Sequence, residues 1–404
     1  MRRFYLDDNA TTALDPRVRA AMEPLLAGPL GNPSSLHAEG RRARGAIDLA
    51  RDSIASWLKA KPSEIIFTGG GTESCNLAVQ GLACANGGKG RHMITVKTEH
   101  HAVLRGFQAM EQWKNFAVTY LNVDADGLVD PDQLARSIRP DTILVSIMSA
   151  NNETGVRQPM RELGEICARH GVLFHSDAIQ SAGKETLDPV GWQLGALSLT
   201  AHKMHGPLGA GLVWLKSGVT IARLMEGGSH ENERRPGTEN TAAIAGFAEA
   251  IRLFGQVDSV EAERQTRWTE RLWKALSSLG GVRRNGHPEK RLPNTLNVSF
   301  LGLHGEDLLI ALDLAGLAVS SGSACLVGSV QPSHVLAAMG VPSEWASAIV
   351  RFSIGSHICD EDCDEIARRV RQVVTHQRAL RGWTPGPVLE QAVPMEFLAC
   401  PSAH

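Results

Sequence analysis

The chain has 404 residues, enough for two or three domains, and its 41 basic and 43 acidic side chains leave a net charge of −2. This balance gives no indication that nucleic acid or an anionic membrane is the main partner. No apolar run approaches the roughly 18 residues of a membrane span, the first residues lack a signal-peptide core, and seven irregularly spaced cysteines do not form a disulfide framework. We therefore expect a cytoplasmic protein with neither a membrane nor direct nucleic acid as a partner.

Alternating strands and helices are predicted over the first part of the chain. A helical stripe covers residues 41–60, and helix-like segments follow at 104–113, 131–138 and 159–169. Short apolar strands are predicted at 65–67, 93–96, 118–121, 142–148, 172–174, 197–199 and 211–215. This alternation indicates a mainly parallel sheet covered on both faces.

The pattern changes after residue 240. Two long helices are predicted at 240–254 and 260–279, followed by strands at 295–300, 317–320 and 349–353 and helices at 305–315, 332–339 and 360–374. Such a mixture suits a smaller α+β domain. From residue 376 on, four prolines and no periodicity predict a loosely ordered tail.

Lys203 lies between an apolar run at 196–199 and a glycine-rich turn. At a strand end of an open α/β sheet, a lysine sits where such sheets bind ligands, and desolvation there lowers an amine's pKa enough to make it a nucleophile. Pyridoxal phosphate (PLP) is the obvious electrophile for such a lysine. Its ring nitrogen needs an acidic partner, and Asp177 offers one at another predicted strand end, although an aspartate there can equally be a helix cap.

Two further positions indicate anion binding. Gly71 ends a glycine triplet between a predicted strand and helix, and Thr72 follows it. Backbone N–H groups at such a helix start can bind a phosphate, although a simple glycine turn would have the same sequence. Arg351 lies in an apolar strand, where an arginine is costly to bury without an anion. It is suited to bind a substrate carboxylate through two parallel hydrogen bonds.

Eight short strings resemble the NifS/IscS-type cysteine desulfurases in the same order. They are YLDDNATT at 5–12, GNPSS at 31–35, TES at 72–74, TEH at 98–100, NNETG at 151–155, SLTAHKMHGPLGAG at 198–211, RPGT at 235–238 and SSGSAC at 320–325. The match spans most of residues 4–375. It implies an α/β fold of the PLP-dependent transferase fold type I: a large domain with a mainly parallel mixed sheet at 16–255, a smaller α+β domain at 256–375, and an arm at 1–15 that packs with the small domain. The tail predicted at 376–404 lies outside the match.

The resemblance also implies roles for individual residues. Lys203 would bind PLP, Asp177 its ring nitrogen and Gln180 its phenolic oxygen, while His100 would stack on the ring and His101 keeps a structural interpretation. Phosphate binding would involve Gly71, Thr72, Thr200 and His202. Asn152 would accompany Arg351 at the substrate. Thr238 would reach the phosphate in the neighbouring subunit of a homodimer.

Cys325 distinguishes a desulfurase from a transaminase in this resemblance. It lies among serine, glycine and alanine residues, whose small side chains allow a mobile loop, and its thiolate would take sulfur from PLP-bound L-cysteine and pass it to an acceptor protein, such as an iron–sulfur scaffold or a thiolation partner. Leu326 and Val327 replace the small polar residues that often follow this cysteine in the family, which leaves the acceptor open. A selenocysteine lyase and a non-catalytic sulfur-transfer scaffold are the alternatives.

Cys359 and Cys363 have a spacing that would place both thiols on one face of a helix. We expect no metal there, because ligand pairs usually occur with a second pair and the intervening acidic residues are typical of a helix start.

Overall fold

The computed structural model describes residues 2–321 and 333–384. Its strands are β1 Phe4–Tyr5, β2 Ile65–Thr68, β3 His92–Val96, β4 Ala117–Leu121, β5 Thr142–Ser146, β6 Leu173–Asp177, β7 Ala196–Thr200, β8 Gly211–Leu215, β9 Val282–Asn285, β10 Thr295–Phe300, β11 Leu317–Ala318 and β12 Ile349–Ser353. Its α-helices are α1 Pro16–Leu26, α2 Ala38–Trp57, α3 Gly71–Asn86, α4 His101–Lys114, α5 Pro131–Ser137, α6 Met160–Arg169, α7 Thr241–Phe254, α8 Ser259–Ser277, α9 Gly305–Leu314, α10 His334–Ala338, α11 Ser343–Ala346 and α12 Asp362–Leu380. No helix within these ranges is both long and apolar enough to cross a membrane.

A seven-stranded sheet in the order β2-β8-β7-β6-β5-β3-β4 organises the larger part of the chain. β8 runs antiparallel to β2 and β7, and the other neighbours pair in parallel. Ile65 and Phe67 pack into one hydrophobic cluster and Ile66 into another, because successive side chains of a strand point to opposite faces. The predicted α/β class with a mainly parallel sheet is confirmed.

The strand order brings several loops to one edge of this sheet. β3 is followed in sequence by β4 on one side, and the chain then returns to β5 on the other side of β3. Ligands of open α/β sheets bind at such a reversal, outside the carboxyl ends of the strands. The loops after β3, β5, β6 and β7 therefore surround one crevice.

A second core surrounds a three-stranded antiparallel sheet in the order β12-β10-β9. Side chains of α8, α9 and α12 pack on it, and β1 of the N-terminal arm pairs in parallel with β11. α7 packs on the first core and α8 on the second, so the predicted domain boundary at 255/256 falls between helices that serve different cores.

Some elements differ from the prediction. α1, α11 and β9 were not predicted. The sequence of β9 is VRRN, which lacks the alternation of apolar and polar residues that predicts a strand, and the strand is mostly half-buried. The strand expected at 317–320 ends at Ala318. The tail prediction was wrong for residues 376–380, which continue α12, because Arg378 donates hydrogen bonds to the carbonyls of Leu279, Gly280, Gly281 and Leu301. Residues 385–404 lie outside the described part.

Candidate active site

A cavity of about 290 Å³ lies at the carboxyl ends of β3, β5, β6 and β7. Its lining contains ten of the residues predicted for the site, namely Gly71, Thr72, His100, Asn152, Asp177, Gln180, Thr200, His202, Lys203 and Arg351. A larger cavity of about 390 Å³ lies among the loops near Asp124 and Glu162 and contains none of them. The sequence therefore identified the wall of one cavity from residues scattered along the chain.

Lys203 ends the short 3₁₀ turn that follows β7. Its Nζ donates to the backbone carbonyls of Asn9, at 2.5 Å, and Ala10, at 2.6 Å, so the N-terminal arm covers the amine. Burial, assisted by the cations Arg351 and Lys184, lowers the pKa of Lys203 to about 7. Near neutral pH much of this amine is unprotonated and can act as a nucleophile.

A hydrogen-bonded chain connects this lysine to a second buried amine. Lys184 donates from Nζ to Gln180 Oε1 at 3.2 Å, and Gln180 Nε2 donates to the Asn9 carbonyl at 2.9 Å, the same oxygen that accepts from Lys203. Burial lowers the pKa of Lys184 to about 8. Lys184 was not predicted as a site residue. The role of the Asn9 carbonyl was not predicted either, because every residue has a backbone carbonyl and the sequence does not indicate which one accepts a hydrogen bond.

Asp177 is the last residue of β6 and is almost fully buried. Its Oδ1 accepts from the Ile179 N–H at 3.0 Å, and its Oδ2 accepts from the Cys75 thiol at 3.4 Å. Burial raises the pKa of Asp177, while His100 and these hydrogen bonds act in the opposite direction. Burial also raises the pKa of Cys75 well above its usual value, so this thiol stays protonated and holds the carboxylate in place.

His100 caps the N-terminus of α4. Its Nδ1 accepts from the Ala102 N–H at 3.1 Å, so the neutral ring carries its proton on Nε2. Burial lowers the pKa of His100. The neighbouring His101, interpreted from sequence as structural, also lines the cavity, together with His334 and Glu153, which the sequence did not single out.

The start of α3 supplies the anion-binding end of the cavity. Gly70 has φ 149°, and a side chain at Gly71 would place its Cβ 2.5 Å from Ile179 Cδ1. This 16-residue helix begins without a side-chain cap, and the first N–H groups of a helix have no partner within it, so they provide a partial positive charge beside the Thr72 hydroxyl. Burial lowers the pKa of the adjacent His202 to about 4, so its ring is neutral.

Arg351 approaches from β12 of the smaller core. Its side chain is 2% exposed, and its guanidinium donates to the Asn152 carbonyl at 2.8 Å and to Asp7 at 2.6 Å. Because Asp7 belongs to the N-terminal arm and Asn152 to the loop after β5, this arginine joins both cores at the cavity.

Two predicted residues are not in the cavity wall that the described part of the chain forms. Thr238 is exposed and is absent from the cavity wall of its own chain. Cys325 lies outside the described residues. The premise that Cys359 and Cys363 share a helix face was wrong: Cys359 is exposed before α12 begins, whereas the buried Cys363 thiol lies 3.8 Å from the Trp268 carbonyl.

The residues of the cavity fit pyridoxal phosphate. A buried amine of low pKa suits attachment to an aldehyde, a buried carboxylate suits a pyridinium nitrogen, and an open helix N-terminus with a threonine hydroxyl suits a phosphate. Arg351, which Asp7 and the Asn152 carbonyl hold in place, is a guanidinium of the type that binds a substrate carboxylate. All of these groups meet in one space.

Comparisons with known proteins agree with this arrangement. Residues 4–366 match the family model described as aminotransferase class-V. A cysteine desulfurase IscS of Dictyoglomus turgidum is 44% identical over 382 residues, covering 94% of this chain and 96% of that protein. The solved structure of a NifS-like protein superimposes with a TM-score of 0.87 at 34% identity, covering 93% of this chain and all of the other. SspA in complex with cysteine has a TM-score of 0.77 at 34% identity, covering 87% of this chain and 98% of SspA.

Proposed function

The chain belongs to the class-V aminotransferase family, and from this premise we propose that its cavity is the active site of a cysteine desulfurase. The protein is a PLP-dependent enzyme that converts L-cysteine to L-alanine and transfers the sulfur to an enzyme cysteine. The observation that carries the site assignment is the buried amine of Lys203, whose pKa of about 7 makes it nucleophilic in the same cavity as Asp177 and Arg351.

The cofactor's ring and phosphate have separate partners in this proposal. Bound PLP supplies an electron sink that stabilises negative charge at the substrate Cα. Lys203 attaches the cofactor, Asp177 keeps the ring nitrogen protonated, and Gln180 binds the phenolic oxygen. His100 would lie against the ring, and its Nδ1 already accepts from the Ala102 N–H, so Nε2–H would be its donor. The phosphate is held by the start of α3 and the end of β7, through Gly71, Thr72, Thr200 and His202.

Arg351 binds the carboxylate of L-cysteine, with Asn152 beside it. Asp7 and the Asn152 carbonyl hold the guanidinium in one orientation before substrate arrives, which reduces the conformational entropy lost on binding. The cation also lowers the pKa of Lys203, so the group that recognises substrate helps to keep the lysine amine free of its proton.

Cys325 receives the sulfur. Its thiolate attacks the substrate sulfur, an S–S bond forms, and the C–S bond breaks. Cys325→Ala should still bind L-cysteine, seen as a change in cofactor absorbance, but should form no alanine and no persulfide. Cys84→Ala, which removes an exposed free thiol, is the matched control and should behave as wild type. Full alanine production by Cys325→Ala would remove this residue from the mechanism.

We propose a homodimer in which Thr238 reaches the partner's phosphate. Its exposure fits this role, and the adjacent Glu239 and Arg235 anchor the loop through ion pairs with Arg44 at 2.6 Å and Glu73 at 2.7 Å. Mixing Lys203→Ala with Thr238→Val subunits should restore activity, because one site of the heterodimer carries both lesions and the other carries neither.

The matched control for this experiment mixes Lys203→Ala with Asp177→Asn. Both residues serve the cavity of their own chain, so each heterodimer site keeps one lesion and no activity should return. Proven subunit exchange without recovery in the first mixture would rule out the shared site.

The persulfide then passes to an acceptor protein, for which an iron–sulfur scaffold or a thiolation partner is the proposed class. The cytoplasm is the proposed location, because a reducing compartment keeps the Cys325 thiol free of disulfides between turnovers. Recovery of a mixed disulfide between Cys325 and its acceptor would identify the protein; capture that persists in Cys325→Ala would contradict this route.

A further inference from the structure

Two histidines outside the proposed catalytic set form a pair in the cavity wall. His101 is the first residue of α4 and His334 the first of α10, and their ring centroids lie 4.5 Å apart with the planes at 35°. Both line the cavity that contains Lys203. No sequence pattern indicated this pair, because its members come from distant segments of the chain.

The hydrogen bonds of the pair fix which nitrogen can accept a proton. His334 Nε2 lies 2.9 Å from the backbone carbonyl of Glu99, 235 positions away. A carbonyl only accepts, so Nε2 carries the hydrogen and Nδ1 of the neutral ring is an acceptor. His334 Nδ1 and His101 Nε2 are both buried, and neither has a hydrogen-bond partner among the described residues.

Burial and the nearby basic groups disfavour a charged ring at His101. Burial lowers the pKa of His101, and His334, His100 and Arg105 lower it further. The carboxyl groups of Glu99 and Glu153 are buried, and burial raises their pKa values, so they provide little negative charge to stabilise a cationic histidine. The pair can accept one proton, whereas a second would place two cations 4.5 Å apart.

Three other groups of the cavity that could accept a proton are engaged in other interactions. His100 Nδ1 already accepts from the Ala102 N–H, so the free nitrogen of its neutral ring is a donor. Lys203 Nζ donates to two carbonyls and attaches the cofactor in the proposed function. Asp177 already accepts from Ile179 and Cys75 and faces the ring nitrogen in that proposal.

We propose that the His101–His334 pair takes the proton of the substrate thiol during desulfuration, with His334 Nδ1 as the accepting atom. The inference rests on the proposed function. The S–H bond breaks, its electron pair stays on sulfur, and one ring of the pair becomes cationic. Overall, L-cysteine and the Cys325 thiol give L-alanine and the Cys325 persulfide. One of the two thiol protons ends on the methyl carbon of alanine and the other stays with the persulfide.

His334→Gln is the decisive variant. A glutamine amide can keep the N–H donor to the Glu99 carbonyl but provides no base at the position of Nδ1. We expect kcat/KM for L-cysteine to fall roughly 10²- to 10³-fold at pH 7, within the range of general-base contributions. At pH 9.5 the kcat/KM of the variant should be within about tenfold of the wild-type value, because a thiol of pKa about 8.5 is then ionised without a base.

Three comparisons separate proton transfer from packing. His170→Gln changes an exposed histidine at the end of α6 and should match wild type at every pH. Binding of L-alanine, which has no thiol, should be unchanged in His334→Gln. His101→Gln should show a smaller loss, roughly tenfold, with the same recovery at high pH. A loss of equal size at pH 7 and 9.5, or equally weakened L-alanine binding, would assign His334 a structural role and overturn the proposal.

A measurement without turnover tests the pair itself. In the cofactor-free protein, the carbethoxylation rate of His101, followed by peptide mass spectrometry against pH, should give a higher midpoint in His334→Gln, since the ring that competes with His101 for one proton has been removed. An unchanged midpoint would overturn the pairing. Absence of alanine formation by the wild-type enzyme would instead overturn the proposed function and this inference with it, whereas a pH-independent loss in an active enzyme overturns this inference alone.

Discussion

Replacing Lys203 by methionine should stabilise the cofactor-free protein near neutral pH. Folding lowers the pKa of this amine from 10.5 to about 7, chiefly through burial. Above pH 10.5 the amine is neutral in both the folded and unfolded states and its titration contributes nothing. As pH falls towards 7, the unfolded chain takes up a proton that the folded protein resists, so stability declines; below pH 7 the penalty is constant.

The magnitude follows from these two pKa values. Each pKa unit corresponds to about 1.4 kcal/mol, so the penalty that methionine removes is about 4 kcal/mol at pH 7 and about 2 kcal/mol at pH 9. These are upper bounds, because part of the side chain reaches solvent and because the ammonium donates to the Asn9 and Ala10 carbonyls, which methionine leaves without that partner.

The assay is urea unfolding of wild type and Lys203→Met, both freed of cofactor, at pH 7 and pH 9. The other titrating groups are shared, so the difference between the two proteins isolates Lys203. The free energy of unfolding should be higher for the variant at pH 7, and the advantage should shrink by about half at pH 9. A variant that is less stable than wild type by the same amount at both pH values would refute a depressed pKa for this lysine.

Three further predictions concern its neighbours. Lys184→Met should raise the pKa of Lys203, because a nearby cation is lost, and the pH midpoint for acetylation of the Lys203 peptide should move upward; no movement would contradict the coupling. Asp177→Asn should keep the cofactor but lower kcat roughly 10²-fold or more, since the ring nitrogen loses its buried carboxylate; unchanged turnover would place the acid elsewhere. Arg351→Lys should weaken L-cysteine and L-alanine binding roughly 10- to 100-fold, as expected when hydrogen bonds to a charged group worth about 1.5–3 kcal/mol are lost. Equal binding of both amino acids by this variant and wild type would show that the carboxylate is held by another group.

The sequence by itself determined the α/β class and most of the cavity wall. Apolar runs predicted β6 and β7 and put Asp177 and Lys203 at strand ends of a mainly parallel sheet, where ligands bind; that these two strands are neighbours is seen only in the structure. Glycines before α3 indicated an open helix N-terminus for the same local reason. These features depend on residues close together in the chain, which a pattern can register.

Only the tertiary structure decided how those residues behave. The low pKa of Lys203 arises because the N-terminal arm folds over it and Lys184 and Arg351 lie nearby. The contact of His101 with His334 joins distant segments. Burial and electrostatic coupling are properties of the space around a group, and no local periodicity encodes which distant segment will fill that space.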